Sequence, residues 1–289
     1  PAHQKLNRSA NKSAGKWLLC ALLFFACFAT LPLAAQPADP FAPDFDKETG
    51  LLSLGLAELD FSNTNQHADI PYLFDGPLYT LRFSSGNHGG FSFRYGAEDV
   101  VFDPEIGGSA QSRMISIALE TGGRKTLYQQ TGNSYVSFYV PIKIYTEYMN
   151  LQYDFYEAVN NPDARTGGLN STMLTAGTGL GFSYRPSRSF PVFSNRISID
   201  GFATRSLGTN ILLYDHIYTG AARLDNVKLQ LSFLDLFSGF SFALAYQYQG
   251  ADFREGGYPG FFSMLTSNDD FDSGFSSHMI TAGIYLRRR

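Results

Sequence analysis

Between Asp225 and Gln249 the chain alternates apolar and polar residues with a period of two. Val227, Leu229, Leu231 and Phe233 interleave with Lys228, Gln230 and Ser232. After Asp235-Leu236-Phe237-Ser238-Gly239, the residues Phe240, Phe242, Leu244, Tyr246 and Tyr248 interleave with Ser241, Ala243, Ala245, Gln247 and Gln249. That period places one set on each face of a β-strand, and two such runs joined by a short glycine-containing break make a hairpin. Each run is about ten residues, the length a tilted strand needs to cross a bilayer, against about five or six in soluble sheets. The hairpin therefore predicts two staves of a membrane barrel.

Composition agrees. The chain has 26 Phe, 17 Tyr and 28 Gly, a bias toward aromatic strands and glycine-rich turns. Mean hydropathy is −0.13, too polar for a bundle of membrane helices but suited to strands with one polar face. The formal net charge of −4 leaves no basic footprint for nucleic acid, so no nucleic-acid partner is expected.

Lys12 and Lys16, the apolar run Trp17–Leu33 and the small residues Ala34-Ala35-Gln36 follow the pattern of a secretory signal peptide. Residues 1–36 are expected as leader, cleaved near Ala35 or Gln36. Residues 37–50, rich in Pro and Asp, are expected as a flexible periplasmic arm, and 51–289 as the barrel. Both cysteines, Cys20 and Cys27, lie in the leader, so neither disulfides nor Cys-ligated metal are expected beyond it.

Candidate strands recur from residue 51 onward. Leu52, Leu54 and Leu56 open the first. Tyr79, Leu81 and Phe83 form the next apolar face, then Phe91, Phe93 and Tyr95, and then Ile115, Ile117 and Leu119. Leu174 to Tyr184, Ile197 to Ile199 and Ser276 to Arg287 supply three more. Ser134–Glu157 is too long for one crossing, and its apolar phase switches from even numbers (Val136 to Ile144) to odd ones (Met149 to Phe155). Either two strands meet near Tyr148, or one long strand bulges there and projects beyond the bilayer. Even strand counts with both termini in the periplasm favour ten strands, with a bulge near 145–148; twelve follow if Gly208–Tyr218 hides another. Loops 61–77, 97–111, 158–170, 206–221 and 250–274 are then extracellular. Turns 85–90, 121–132, 186–193 and 235–239 are periplasmic. A soluble β-sandwich is the alternative architecture, but its outer faces would carry more charge.

The leader, the amphipathic strands and the closing strand Thr281-Ala282-Gly283-Ile284-Tyr285-Leu286 together resemble bacterial outer-membrane β-barrel proteins of the general porin-like class. The resemblance implies an all-β, antiparallel up-and-down barrel in the outer membrane. It also implies two partners, outer-membrane lipid and the barrel-assembly machinery. Such proteins commonly close on a strand ending in an aromatic residue, whereas this sequence reads Leu286-Arg287-Arg288-Arg289. With Trp confined to the leader, any interfacial girdle must be Tyr and Phe.

If the apolar phase faces lipid, the expected lumen lining is Arg82, Arg94, Glu120, Lys143, Glu147, Arg185, Arg196, Asp200, Lys228 and Gln230, with Gln247. In a barrel of about ten strands the lumen is narrow, so these charges either select solutes in a pore or pair and plug it. Pairing is favoured, because an unpaired buried charge is costly. Gly177, Gly179 and Gly181 face inward beside Tyr135, Tyr139 and Tyr145 and are expected to seat those rings; a substrate groove beside the glycines is the alternative. For catalysis the best constellation is Asp215-His216 with Asp269, Asp270 and Asp272. It is similar to the rim placement in outer-membrane aspartyl proteases, but those space Asp and His by one residue on a strand, and here the pair is adjacent. No catalytic, cofactor or metal site is expected, and the acidic run 267–272 lacks EF-hand spacing. The expected function is a narrow channel or transport barrel for small or amphiphilic solutes; the alternative is an anchoring, adhesion or assembly barrel.

Overall fold

A computed structural model describes residues 48–63, 72–85, 89–102, 108–130, 134–156, 168–186, 197–213, 217–237, 240–254 and 273–287. Ten strands run through them: β1 (Glu48–Asn63), β2 (Tyr72–Ser85), β3 (Gly89–Val101), β4 (Ser109–Gln130), β5 (Tyr135–Phe155), β6 (Gly168–Arg185), β7 (Ile197–Leu213), β8 (Ile217–Phe237), β9 (Phe240–Phe253) and β10 (Ser273–Arg287). Each pairs antiparallel with its sequence neighbours, and β10 returns to pair with β1, closing the barrel. Both β1 and β10 therefore have their outer ends at one rim, here the turn end. The strand ends that flank 64–71, 102–108, 156–167, 214–216 and 254–272 lie at the opposite rim, the loop end. Among the described residues no helix is long and apolar enough to cross a membrane.

Along most strands the apolar phase changes sides partway. Toward the turn end, Leu52, Leu54, Leu56, Tyr79, Leu81, Phe83, Phe138, Ile142, Leu180, Leu244 and Ile280 are exposed on the outer face. Toward the loop end the outer face carries Glu58, Asp60, Asp75, Asp99, Arg113, Gln152 and Asp154, all exposed. There most apolar residues point inward instead, Val101, Ile211 and Ile217 being exposed exceptions. Phe61, Phe74, Leu78, Met114, Leu151, Leu169, Met173, Leu224 and Phe253 are fully buried in one cluster drawn from all ten strands. An outer apolar belt suits hydrocarbon, and a polar outer surface over an apolar interior suits water. The barrel is thus a membrane cylinder continued by a water-type barrel on the same strands.

This inversion corrects the expected bulge at 145–148. β5 is one strand whose register to β4 runs unbroken from Lys125↔Val140 to Ala110↔Phe155. The parity switch at Tyr148 reflects a change of surroundings, not an inserted residue. The register shift in that ladder lies between Thr126 and Tyr128, near the turn end. The same inversion hid strand elsewhere. Residues 206–221, expected as a loop, are mostly strand, with β7 and β8 paired up to Leu213↔Ile217; the described residues of Gly208–Tyr218 belong to their ends, and the count among the described residues is ten. Residues 121–132, expected as a turn, are β4 as far as Gln130. β1 begins at Glu48, inside the segment expected as an arm.

Two prolines interrupt ladders, since proline has no N–H to donate. At Pro141 the β5–β6 pairing lapses between Tyr139↔Gly181 and Ile142↔Thr178 and resumes in the same register; the Thr178 hydroxyl donates to the Pro141 carbonyl at 2.8 Å. At Pro77 the β2–β3 pairing ends, its last pair being Tyr79↔Tyr95. Beyond it, side chains take up the free backbone of β2. The Asp75 N–H donates to Glu98, the Leu73 N–H to the Tyr153 hydroxyl at 2.6 Å, and the Leu73 carbonyl accepts from Ser112 at 3.2 Å.

Three substitutions test the inversion through unfolding free energy in lipid vesicles. Leu54→Arg, in the belt, is expected to cost about 2–4 kcal/mol. Gln152→Arg, on the outer face of the extension, should stay within about 0.5 kcal/mol. Leu151→Ala, one residue away but inside, should cost about 2–5 kcal/mol. Equal costs for the two arginines would rule out a belt that stops short of Gln152.

Candidate functional site: the barrel interior

The interior is built in layers, each set by the inward parity of the strands. Nearest the turn end, Asp200 on β7 accepts from Ser183 Oγ at 2.5 Å and Ser198 Oγ at 2.7 Å. Gln230 Nε2 on β8 donates to the Tyr285 hydroxyl on β10 at 2.9 Å and to Ser232 Oγ at 3.1 Å. The Arg185 guanidinium lies 4.8 Å from the Tyr135 ring centre, and that of Arg124 5.2 Å from Tyr139. The Tyr139 hydroxyl reaches past β6 to donate to the Gly201 carbonyl at 3.2 Å.

The next layer centres on Glu120 of β4. Lys143 Nζ sits 2.5 Å from its Oε1 and Arg82 Nη2 3.1 Å from its Oε2. Arg82 also donates through Nη1 to Gln247 of β9, and Gln247 Nε2 donates to Asn226 Oδ1 on β8 at 3.0 Å. Lys228 shares this electrostatic neighbourhood with Arg82, Glu120, Lys143 and Asp200. Contacts that skip strands in this way can be made only through the lumen.

Above it lies a tighter network. Arg94 on β3 meets Glu147 on β5 at 2.6 Å, with side chains 3% and 1% exposed. Glu147 also accepts from the Tyr145 hydroxyl at 2.6 Å and from Ser116 Oγ, and Arg94 Nη2 reaches Tyr145 at 3.2 Å. A carboxylate accepting from three donors is well compensated for the loss of water. Above this network comes the apolar cluster, where Tyr72 stacks on Tyr153 at 5.9 Å and Phe102 meets Tyr153 edge-on at 5.3 Å.

The structure thus brings Arg82, Glu120, Lys143, Lys228 and Gln247 together, pairs Arg94 with Glu147 beside them, and sets Arg185, Asp200 and Gln230 nearer the turn end. Arg196 lies outside the described residues, as do Asp215, His216, Asp269, Asp270 and Asp272. Of the three inward glycines, Gly181 seats a ring: a Cβ there would collide with Tyr139. Gly177 and Gly179 instead lie against the β7 backbone at Arg205 and Ala203. Sequence reasoning missed the apolar cluster, although the parity switch at Tyr148 was its visible trace. It also missed Ser116, Asn226 and Tyr285, whose only sequence signal is inward parity. Among the described residues no group of three or more His, Cys, Asp or Glu side chains is placed to hold a metal.

Outside, the belt is rimmed toward the loop end by Tyr79, Tyr95, Tyr148, Tyr246 and Tyr248. Tyr246 is hydrogen-bonded to His278 Nδ1 at 2.8 Å. Interfacial aromatics of this kind mark the edge of the hydrocarbon layer. Ion pairs staple the outer face above it: Arg205 to Asp225 at 2.7 Å, Arg223 to Asp252 at 2.5 Å, and Arg113 to Asp154.

A closed antiparallel barrel with an apolar belt and aromatic rim is the architecture of bacterial outer-membrane β-barrel proteins. Among solved structures, Ail, the attachment invasion locus protein of Yersinia pestis, aligns over 83% of this chain and 99% of its own at 12% identity and a TM-score of 0.26. The Pseudomonas putida toluene transporter TodX aligns over 86% and 73% at 12% identity and a TM-score of 0.25. The Ralstonia pickettii toluene transporter TbuX aligns over 84% and 90% at 10% identity and a TM-score of 0.23. Likeness this slight assigns no role. No family model matches the chain, and no curated protein does.

Two predictions follow from the packing. Glu147→Ala strands a buried guanidinium and should cost about 3–5 kcal/mol, whereas replacing Arg94 and Glu147 together by Met should cost much less. Gly181→Ala should cost about 1–3 kcal/mol by overpacking against Tyr139, and Tyr139→Ala should relieve that penalty. Denaturant unfolding of single and double variants measures both couplings; additive costs would refute them.

Proposed function

We propose that this protein is an integral outer-membrane barrel that passes no solute through its lumen and serves as a rigid mount for the surface at its loop end, a non-enzymatic role in anchoring, adhesion or envelope assembly. The observation that carries this reading is the filled interior. Above the charged layers, apolar side chains from every strand close over the lumen, and the largest of them, among them Phe61, Phe74, Met114, Leu151, Met173, Leu224 and Phe253, are fully buried. A pore needs water-lined space along its whole length. A cavity of about 10 Å³ lies in the charged layer. Transport through the lumen would require this apolar cluster to part.

The raised extension supports the same reading. Its outer face is polar and braced by cross-strand ion pairs, so it holds its shape in water above the membrane. Most connections at the loop rim span more residues than those at the turn rim, 214–216 and 186–196 being the exceptions, and this supports an extracellular loop rim with the extension outside the cell. A secretory leader and insertion by the barrel-assembly machinery complete the proposal.

Reconstitution into planar bilayers tests it, with folding verified by heat-modifiable gel mobility. The folded protein should show no stable conductance steps. Discrete, reproducible steps from the same preparation would overturn the sealed-lumen reading and restore the channel.

A further inference from the structure

We propose that β4 takes up, along its one-sided edge at the turn end, an extended segment of a partner protein in which apolar and acidic residues alternate. The β3 ladder on β4 ends at Gly89↔Thr121. β4 runs on to Gln130, paired with β5 as far as Gln130↔Val136. From Gly122 to Tyr128 it therefore has a ladder on one side only among the described residues. β2 and β3 already pair at Ser85↔Gly89, so residues 86–88 between them are too few to line this edge. Opposite it, β5 still points Ile142 and Phe138 outward, 57% and 51% exposed, both in the apolar belt. The edge thus borders hydrocarbon, where backbone N–H and C=O groups without partners are costly.

Backbone and charge together specify the occupant. A row of alternating N–H and C=O groups is matched along its length by another strand, and by no single headgroup or water. Since β4 descends to the turn end, an antiparallel addition rises from that end in line with β3. Its outward residues meet lipid, as Ile142 and Phe138 do, and must be apolar. Its inward residues meet Arg124, whose guanidinium lies 5.2 Å from the Tyr139 ring centre and has no carboxylate partner among the described residues. From Thr121 to Thr146 the sequence has Arg124, Lys125 and Lys143 and not one acid, so acids on the incoming strand complement it. The bulge after Thr126 bends the lower end of the edge and leaves Gly122–Thr126 as its straight stretch. A second copy is a poor occupant. Two barrels upright in one membrane cannot set β4 antiparallel to β4, and Lys125 would face Lys125.

The probe is a fluorescein-labelled peptide of about eight residues alternating valine and glutamate, titrated onto the detergent-folded full chain. It should bind about tenfold more tightly than its valine–lysine counterpart. It should also slow hydrogen exchange at those amides of Gly122–Thr126 that do not bond to β5. Methylating the peptide's backbone nitrogens should abolish both effects, because its charge and apolar surface remain while its donors are lost. Arg124→Glu should reverse the preference between the two peptides. Lys125→Glu, at an exposed site, should weaken the glutamate peptide severalfold, and it keeps the test open if Arg124→Glu does not fold. Equal affinity for both peptides, or binding that leaves exchange at Gly122–Thr126 unchanged, would overturn the proposal. So would edge amides already protected in the peptide-free monomer, which would mean that the chain covers its own edge. Protection that appears only in dimers would assign the edge to a second copy and overturn it as well.

Discussion

Backbone polar groups have no water to turn to inside hydrocarbon, and this structure follows from that constraint. A sheet in a membrane must close on itself, and the β1–β10 ladder does so over the length of both strands. The places where the ladder fails show the constraint at work. At Pro141, within the belt, Thr178 takes over the orphaned carbonyl. At Pro77 the strands part only above the Tyr79↔Tyr95 pair, where the outer surface is polar, and Glu98, Tyr153 and Ser112 answer for the released groups.

Closure with ten strands creates a narrow lumen that side chains can fill, and the filling follows the surroundings outside. Where the outer face meets lipid, apolar residues face outward and the interior is polar, so its charges must find one another. Glu120, Glu147 and Asp200 each accept from more than one donor. Where the outer face meets water, the ordinary rule returns, and Phe61, Phe74 and Phe253 pack inside. The two regimes meet near the Arg94–Glu147 pair, which borders polar layers on one side and the apolar cluster on the other.

Much of this was legible in advance. Strict alternation in β8 and β9 exposed the barrel, and taking one face as lipid-directed put Arg82, Arg94, Glu120, Lys143, Glu147 and Lys228 inside before any coordinates. Partner choice was not legible. Arg94 bonds across β4 to Glu147, not to a neighbour in sequence, and Arg82 reaches both β4 and β9. Such pairs depend on barrel curvature and on how far each strand is displaced along its neighbour.

Sequence by itself determined the strand period and the sign of each face within the belt, because residues i and i+2 share a face whatever the rest of the chain does. Only the tertiary structure decided where the belt stops. Leu52 and Leu59 are equally apolar, yet one faces outward and the other lies in the core. A parity switch in a one-dimensional pattern is the same for an inserted residue and for a strand leaving the membrane. It takes many paired strands inverting at one level to show that the surroundings changed while the backbone continued.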